Sequence, residues 1–250
     1  MQKNKYKMKL ICLNIWGGAL GVELLEFLEY HKNVDIFCFQ EVYNMSLNII
    51  TKDNDIFDLR IFKKIEKIIS NHKGYFTSPS LNSPGMAVFI KKDIRVLDKG
   101  KINIYFDPYY NKNKSNHPRD LQWVKCQIYD KVFTIMNVHG LWNGMGKTDS
   151  DSRIIQSQKI KSFMDSIDTP KILCGDFNLS PDTNSIALIQ SGMNNLIQHY
   201  DIISTRTKLY EKREKHSDYI FTCKDIKIIC FKILDDIISD HAPLFLFFSI

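Results

Sequence analysis

The amino-acid sequence predicts a mixed α/β fold, with two packed β-sheets flanked by helices. Three observations carry that prediction. Apolar strand-like runs outnumber helical stretches and are interleaved with them along the chain. Several strand runs follow one another with no helix between, which demands hairpins and sheets that are mixed or partly antiparallel. Apolar residues make up 44% of the 250 and charged residues 25%, so the chain can bury a large core.

The first strand is expected over Lys9 to Ile15, where Leu10-Ile11-Cys12-Leu13 is continuously apolar. Leu20 to His31 places Leu24, Leu25, Phe27 and Leu28 on one helical face. Val34 to Phe39 reads as a second apolar strand that closes on Gln40-Glu41. Leu59 to Ile69 is helical again, with Ile61, Phe62, Ile65, Ile68 and Ile69 on one stripe. Met86 to Ile90, Ile94 to Leu97, Leu121 to Tyr129 and Val132 to Val138 read as strands. Asp151 to Ile167 is a helix with Asp149 or Ser150 as its cap. Lys171 to Cys174 is a short buried strand and Asn184 to Ser191 a short helix. Tyr219 to Thr222, Ile226 to Leu234 and Leu244 to Phe248 are the closing strands.

The composition excludes collagen-like, disordered and coiled-coil classes. No apolar run approaches the ~18 residues that cross a bilayer. The basic start, Met1 to Lys9, precedes an apolar stretch too short for a signal peptide, with no small-residue cleavage site. A cytoplasmic protein is therefore expected. Cys12, Cys38, Cys126, Cys174, Cys223 and Cys230 are scattered without a CxxC pair, so they read as reduced, buried thiols rather than a zinc site. No repeat, linker or composition break interrupts the chain, so one domain over 1–250 is expected, with a core from about 10 to 248. The net charge of +6 hints only weakly at anionic partners.

The informative feature is where polar residues meet strand ends. Asn14 interrupts the first strand, and Gln40-Glu41 closes the second. His139 closes Ile135 to Val138, and Asp176 and Asn178 follow Ile172 to Gly175. Asp218 precedes Tyr219 to Phe221, and Asp240-His241 precedes the last strand. Taken singly, each has a bland explanation as a turn cap or a solvated loop residue. Six decorative placements at strand ends are improbable together, and loops on a rigid sheet edge are a common home for catalytic groups. The chemistry also converges. Carboxylates and amide oxygens suit Mg²⁺ or Mn²⁺. A carboxylate can orient or deprotonate water, and imidazoles and amides can bind phosphoryl oxygens. No Ser or Cys sits in a recognisable nucleophile motif, so attack by a metal-assisted water is the natural class.

The ordered motifs are Leu13-Asn14-Ile15-Trp16-Gly17, Asp35 to Glu41, Gly85-Met86-Ala87-Val88, Asn137-Val138-His139, Gly175-Asp176-Phe177-Asn178, Ser217-Asp218-Tyr219-Ile220 and Ser239-Asp240-His241. From about Leu10 to Phe248 the set resembles the endonuclease/exonuclease/phosphatase superfamily, the DNase I-like fold. The resemblance implies a four-layer sandwich of two mixed β-sheets between helical layers, with the active site at one sheet edge. It also implies that Glu41 is the principal ligand of a Mg²⁺ or Mn²⁺ ion, with Asn14 and Asp240 beside it. Asp176 would orient or activate the attacking water and Asn178 would hold a phosphate oxygen. His241, paired with Asp218, would contact the scissile phosphate, and His139 would assist at the leaving oxygen.

Departures narrow the resemblance. Trp16 stands where AP-endonuclease-type members carry an acid, which counts against abasic-site repair. The tryptophan-cysteine-aspartate-arginine motif of inositol polyphosphate 5-phosphatases is missing around Asp218. The glutamate that partners the equivalent of His139 in secreted DNase I has no match near Ser78 to Asn82, which leaves the charge of His139 open.

Two loops bear on the substrate. Asp107 to Asp120 carries Lys112, Lys114, His117 and Arg119 with Tyr109 and Tyr110, and Ser204 to Ser217 carries Arg206, Lys208, Lys212, Arg213 and Lys215 with Tyr210. Cations interleaved with aromatics suit a nucleic-acid backbone and stacked bases, although they equally describe a solvated loop in a lysine-rich protein. Arg119 and Arg206 are favoured as binding groups because a guanidinium grips phosphate bidentately. Trp142, in the glycine-rich loop after His139, is a third candidate. Arg153 and Gln156 resemble a pair common in the family, including its sphingomyelinases. The expectation is a monomeric phosphodiesterase, in first place a nuclease acting on DNA or RNA. A phosphoesterase on a lipid or small phosphorylated substrate is the alternative.

Overall fold

The computed structural model describes residues 6–45, 49–52, 55–80, 83–110 and 115–250. The chain runs through β1 (Lys7–Asn14), a 3-10 turn (Trp16–Gly18), α1 (Gly21–Tyr30), β2 (Ile36–Val42), β3 (Ile49–Lys52), β4 (Asp55–Asp58), α2 (Ile61–Ile68), β5 (His72–Thr77) and β6 (Gly85–Lys91). It continues through β7 (Arg95–Tyr105), β8 (Arg119–Ile128), β9 (Lys131–His139), α3 (Asp151–Asp165), β10 (Lys171–Asp176) and α4 (Asn184–Gln190). It ends with β11 (Asn194–Asn195), α5 (Leu196–His199), β12 (Asp218–Thr222), β13 (Lys227–Ile233) and β14 (Leu244–Ser249). Every helix and strand expected from the sequence is present, with ends shifted by a few residues. The largest shift is β7, which extends well beyond Leu97 because it pairs with the whole of β8. β5, the β3–β4 hairpin and the short elements around 194–199 escaped the pattern. In β5, His72-Lys73-Gly74 offers no apolar run to read.

Two six-stranded sheets form, in the orders β13-β14-β1-β2-β6-β5 and β11-β12-β10-β9-β8-β7. Each has one parallel pair at its centre and antiparallel pairs outside it. Both parallel pairs are β-α-β units, with α1 bridging β1 to β2 and α3 bridging β9 to β10. The sheets pack face to face over Cys12, Cys38, Val88, Ile135, Leu173, Ile220 and Leu246. On the outer face of the first sheet, Phe37, Phe39 and Phe89 meet Leu24, Phe27 and Leu28 of α1 and Ile61, Phe62 and Ile65 of α2. Ile160 and Met164 of α3 and Ile186 and Ile189 of α4 join the core of the second. Truncating a buried phenylalanine such as Phe39 would cost ~3–5 kcal/mol.

Among the polar contacts between the sheets, one pair lies just behind the site. Gln40 Nε2 donates to Asn137 Oδ1 at 2.6 Å, and Asn137 Nδ2 donates to the Phe39 carbonyl at 3.1 Å. Each belongs to a strand-end motif, and together they fix the first sheet against the second just behind the edge where the site lies.

Ser150 caps α3 through the Arg153 N–H. Asp149 instead accepts the N–H groups of Asn184 and Ser185 at 2.7 and 3.1 Å, so it serves the first turn of α4. All six cysteines are free thiols, five of them buried. Among the described residues no helix is long and apolar enough to cross a membrane.

Candidate active site

The two β-α-β units end at the same edge of the sandwich. In the second sheet Asp176 pairs in register with His139 on one side and Asp218 on the other, so three strand ends deliver three titratable groups in one row. In the first sheet Asn14 is opposite Gln40, and the register slips between Gln40 and Val42. That bulge holds Glu41 with φ 56°, a left-handed backbone that turns its side chain out of the strand alternation. Asn178 has φ 54° and Trp16 φ 49°. Strained backbone of this kind costs ~1–3 kcal/mol per residue and is retained where a site requires it. Gly175 is obligatory for a steric reason: at φ 143° a Cβ there would lie 1.9 Å from the Val138 carbonyl oxygen.

Asp176 is the centre of the site. Its Oδ2 accepts from Asn14 Nδ2 at 3.1 Å and lies 3.5 Å from His241 Nε2 and 3.8 Å from His139 Nε2. Its Oδ1 accepts the Asn178 N–H at 2.9 Å. Burial alone would raise its pKa, but His241, Lys147, His139 and Arg206 together hold the carboxylate far below its usual range, so it is ionised. Asn14 also donates to Glu41 Oε1 at 3.0 Å, while its own oxygen accepts the Trp16 N–H. His241 donates Nδ1–H to both Asp218 oxygens, at 2.8 and 2.9 Å. Thr205 and Ser217 hydroxyls donate to Asp218 Oδ2, each at 2.9 Å, which fixes the carboxylate and so the imidazole. Burial lowers the pKa of His241, but Asp218, Asp240 and Asp176 overcome burial and the Arg206 charge, and the net shift is upward.

Glu41 and Asp240 face the cleft, with 31% and 19% of their side chains exposed. Burial and the Asp240 and Asp176 charges push the Glu41 pKa up, against the Asn14 hydrogen bond and His241. Carboxylates crowded in this way fit a hard divalent cation, which relieves their repulsion. The tightest Asp/His group among the described residues is a different one, Asp176, Asp218 and His241, with ligand atoms within 4.8 Å of each other. Asp218 and His241 are already hydrogen-bonded to each other, and Asp176 accepts from Asn14 and the Asn178 N–H, so the more open Glu41 and Asp240 oxygens are the better donors for a cation.

These motifs span nearly the whole chain, and residues 11–241 match the model of the Endonuclease/Exonuclease/phosphatase family. The chain belongs to that family. Solved structures share its fold at low sequence identity. An endonuclease/exonuclease/phosphatase from Bacteroides vulgatus has a TM-score of 0.75 at 16% identity, over 98% of this chain and 100% of that one. A Bacteroides thetaiotaomicron mannosyl-6-phosphatase has 0.73 at 18%, over 97% and 100%. D. rerio TDP2 complexed with single strand DNA product has 0.74 at 14%, over 98% and 99%. No curated protein matches at the level of sequence. As a member of the family, the chain is a phosphoric ester hydrolase.

The cleft of this family member has a volume of about 330 Å³. Trp16, Tyr43 and Phe57 line it, as do Trp142, Tyr210 and Lys212, and Glu41, His139, Asp176, Asn178, Asp240 and His241 line its floor. Asp218 stands behind His241. Of the first basic loop, His117 and Arg119 reach the cleft, and Lys112 and Lys114 lie outside the described residues. Arg119 does not offer an empty fork. Its Nη1 donates to His139 Nδ1 at 3.2 Å, in the place where the resemblance leads one to look for a carboxylate. Arg206 is likewise engaged, donating to Asp240 Oδ2 and Ser217 Oγ at 2.8 Å each, with the guanidinium 4.0 Å from the Tyr210 ring centroid. Lys212 stands 5.1 Å from the Trp142 ring centroid. Arg153 and Gln156 clamp the loop after His139, through the Leu141, Gly146 and Thr148 carbonyls and the Leu141 N–H.

Sequence reasoning passed over Lys147. Its ammonium is buried in the cleft wall with no hydrogen-bond partner, and burial pulls its pKa down to about 8 against the attraction of Asp176. The trace it leaves in the sequence is its place in the glycine-rich loop directly after His139.

Proposed function

We propose that this chain is a Mg²⁺- or Mn²⁺-dependent phosphodiesterase, a nuclease acting on DNA or RNA. The observation that carries the reading is the convergence of His139, His241 and Asn14 on one oxygen of an ionised Asp176. Glu41 and Asp240, with Asn14 beside them, would hold the cation, whose chemistry when bound is to polarise the phosphoryl oxygen and offset its charge. Asp176 accepts a hydrogen bond from the attacking water and orients it in line with the phosphorus. His241, protonated on both nitrogens and braced by Asp218, donates Nε2–H to a phosphoryl oxygen, and Asn178 Nδ2 donates to another. Arg119 keeps Nδ1 of His139 as an acceptor, so His139 carries its proton on Nε2 and donates it toward the leaving oxygen. Aromatic side chains of both sheet edges, Trp16, Tyr43, Trp142 and Tyr210, supply stacking surface for unpaired bases.

The modest size of the cleft supports a second reading, a small phosphorylated substrate. One panel separates the two: single-stranded and duplex DNA, RNA, a phosphoinositide, sphingomyelin and a sugar phosphate, each with Mg²⁺, Mn²⁺ or EDTA. Metal-dependent cleavage of nucleic acid alone supports the nuclease. Turnover confined to the sugar phosphate or the lipids overturns it.

A further inference from the structure

Lys147 is 2% exposed, and its Nζ makes no hydrogen bond. A buried ammonium without a partner is among the most unfavourable arrangements a protein can hold. The chain nevertheless fixes it there. The backbone on each side of Lys147 is pinned: Arg153 Nη2 donates to the Gly146 carbonyl at 2.8 Å and Arg153 Nη1 to the Thr148 carbonyl at 2.6 Å. The Lys147 carbonyl itself accepts the Ser180 N–H at 2.8 Å. The side chain lies along the cleft wall with Nζ 5.5 Å from the Tyr210 ring centroid, beside Asp176, Asn178 and Arg206. The two arginines of the cleft are partly engaged: Arg119 Nη1 donates to His139 and Arg206 Nη1 and Nη2 donate to Asp240 and Ser217, although Nε of each lacks a partner. Among the described residues Lys147 is the buried cleft cation that donates no hydrogen bond at all; Lys212, which also lines the cleft, is exposed.

We infer that Lys147 is a substrate-binding residue, its ammonium taking a non-bridging oxygen of the phosphoryl group that is cleaved. This rests on the phosphoester reading above for the identity of the ligand. The contact supplies the hydrogen bond and countercharge that the ammonium lacks, in a dry wall where such a bond is strong. The pinned loop means that no reorganisation is needed when the phosphate arrives.

The test is titration calorimetry of inorganic phosphate into the full chain, with EDTA and again with Mg²⁺, for the wild type, Lys147→Met, Lys147→Gln and Lys147→Arg. The neutral variants are expected to bind phosphate at least ~10-fold more weakly in both conditions, as the loss of a hydrogen bond to a charged group requires. Lys147→Arg is expected to recover most of that loss. Without phosphate, the two neutral variants are expected to melt at or above the wild-type temperature, because a binding residue held unpartnered stores strain rather than stability. Wild-type phosphate affinity in the neutral variants overturns the assignment, as does no phosphate binding to the wild type. Neutral variants that both melt several degrees lower also overturn it, since the ammonium then serves the fold. If phosphate binds through Lys147 and a sugar phosphate or lipid, but no nucleic acid, is hydrolysed, the nuclease reading fails and this assignment stands.

Discussion

His139 and His241 approach the same oxygen, Asp176 Oδ2, at 3.8 and 3.5 Å, and the fold treats them in opposite ways. His139 comes from the end of β9 and has Arg119 on its Nδ1; burial first and then the Arg119 charge push its pKa well below the ordinary value. His241 comes from the loop before β14 and has Asp218 on its Nδ1; its carboxylate neighbours push its pKa up in spite of equal burial. Burial and the shared Asp176 are common to both, and the largest charge acting on each comes from the group bound to Nδ1, with Asp240 adding to Asp218 at His241. An arginine at that outer position favours the neutral imidazole and a carboxylate favours the charged one, so the fold pushes the two pKa values apart.

Removing the group the two histidines share has the largest expected effect. Asp176→Asn is expected to lower kcat/KM on a phosphodiester by ~10³-fold, within the range for loss of a general base. The effect should appear in kcat, since the carboxylate acts on the water and not on substrate affinity. Steady-state kinetics with saturating metal checks it. Next in size, Asp218→Asn takes the carboxylate from His241 while Thr205 and Ser217 still hold the side chain. Activity is expected to fall ~10²-fold. In stability the sign is set by the raised His241 pKa. The ion pair contributes fully below the unfolded value near 6.5, and the contribution disappears as pH rises through the folded value. Wild type and Asp218→Asn should therefore differ most below pH ~6.5 and converge at alkaline pH in denaturant titrations.

How much of this was legible in the sequence follows from how a polar residue announces itself. Asn14, Asp176 and His139 interrupt or close apolar strands, so they stand out against a periodic background. Glu41 was visible as a residue, but the bulge that aims it was not, because a register slip adds no unusual residue type. Arg206 reads as a phosphate grip; the structure places it in the cleft and adds its bonds to Asp240 and Ser217, which a loop sequence does not reveal. Gln40 and Asn137 stand out in the sequence only as parts of motifs, and their bond across the sheets depends on a packing that brings together residues 97 apart in the chain. Lys147 is the hardest case. A lysine after glycines reads as solvated, and only the clamp from Arg153 puts it in the wall.

On the His139 side the expected effect is smaller. Arg119→Gln leaves a donor near His139 Nδ1 and removes the charge that helps keep the ring neutral. The His139 pKa is expected to rise toward its ordinary value while burial still holds it below that value. At pH 8 the variant should lose ~10-fold or less in kcat/KM, the modest scale of a positioning hydrogen bond. As pH falls its activity should decline at higher pH than the wild type does, because His139 now takes a proton where it did not before. A pH–rate profile of the two proteins, with the His139 ring followed by NMR, checks the direction. An acid limb that stays in place would show that Arg119 does not set this charge.

His72 gives the smallest effect and the cleanest control, because it is a buried histidine with no part in the cleft. It is 5% exposed in β5, with Nε2 donating to the Val34 carbonyl at 2.7 Å. Burial lowers its pKa, and the backbone hydrogen bonds and Asp35 recover only part of that. The folded state therefore keeps His72 neutral where the unfolded chain, with an ordinary pKa near 6.5, takes up a proton. Between those two values the unfolded state binds more protons, so stability falls as pH falls, by at most ~1.4 kcal/mol per pH unit from this one group. His72→Gln keeps a donor for the Val34 carbonyl and removes the titration. Its stability should decline less steeply than wild type as pH drops below ~6.5, with the phosphodiesterase pH profile unmoved. Denaturant midpoints between pH 5 and 7.5 test this. If the slopes are equal, His72 is not held neutral in the fold. If the pH profile of activity moves too, the division between core and cleft histidines is wrong.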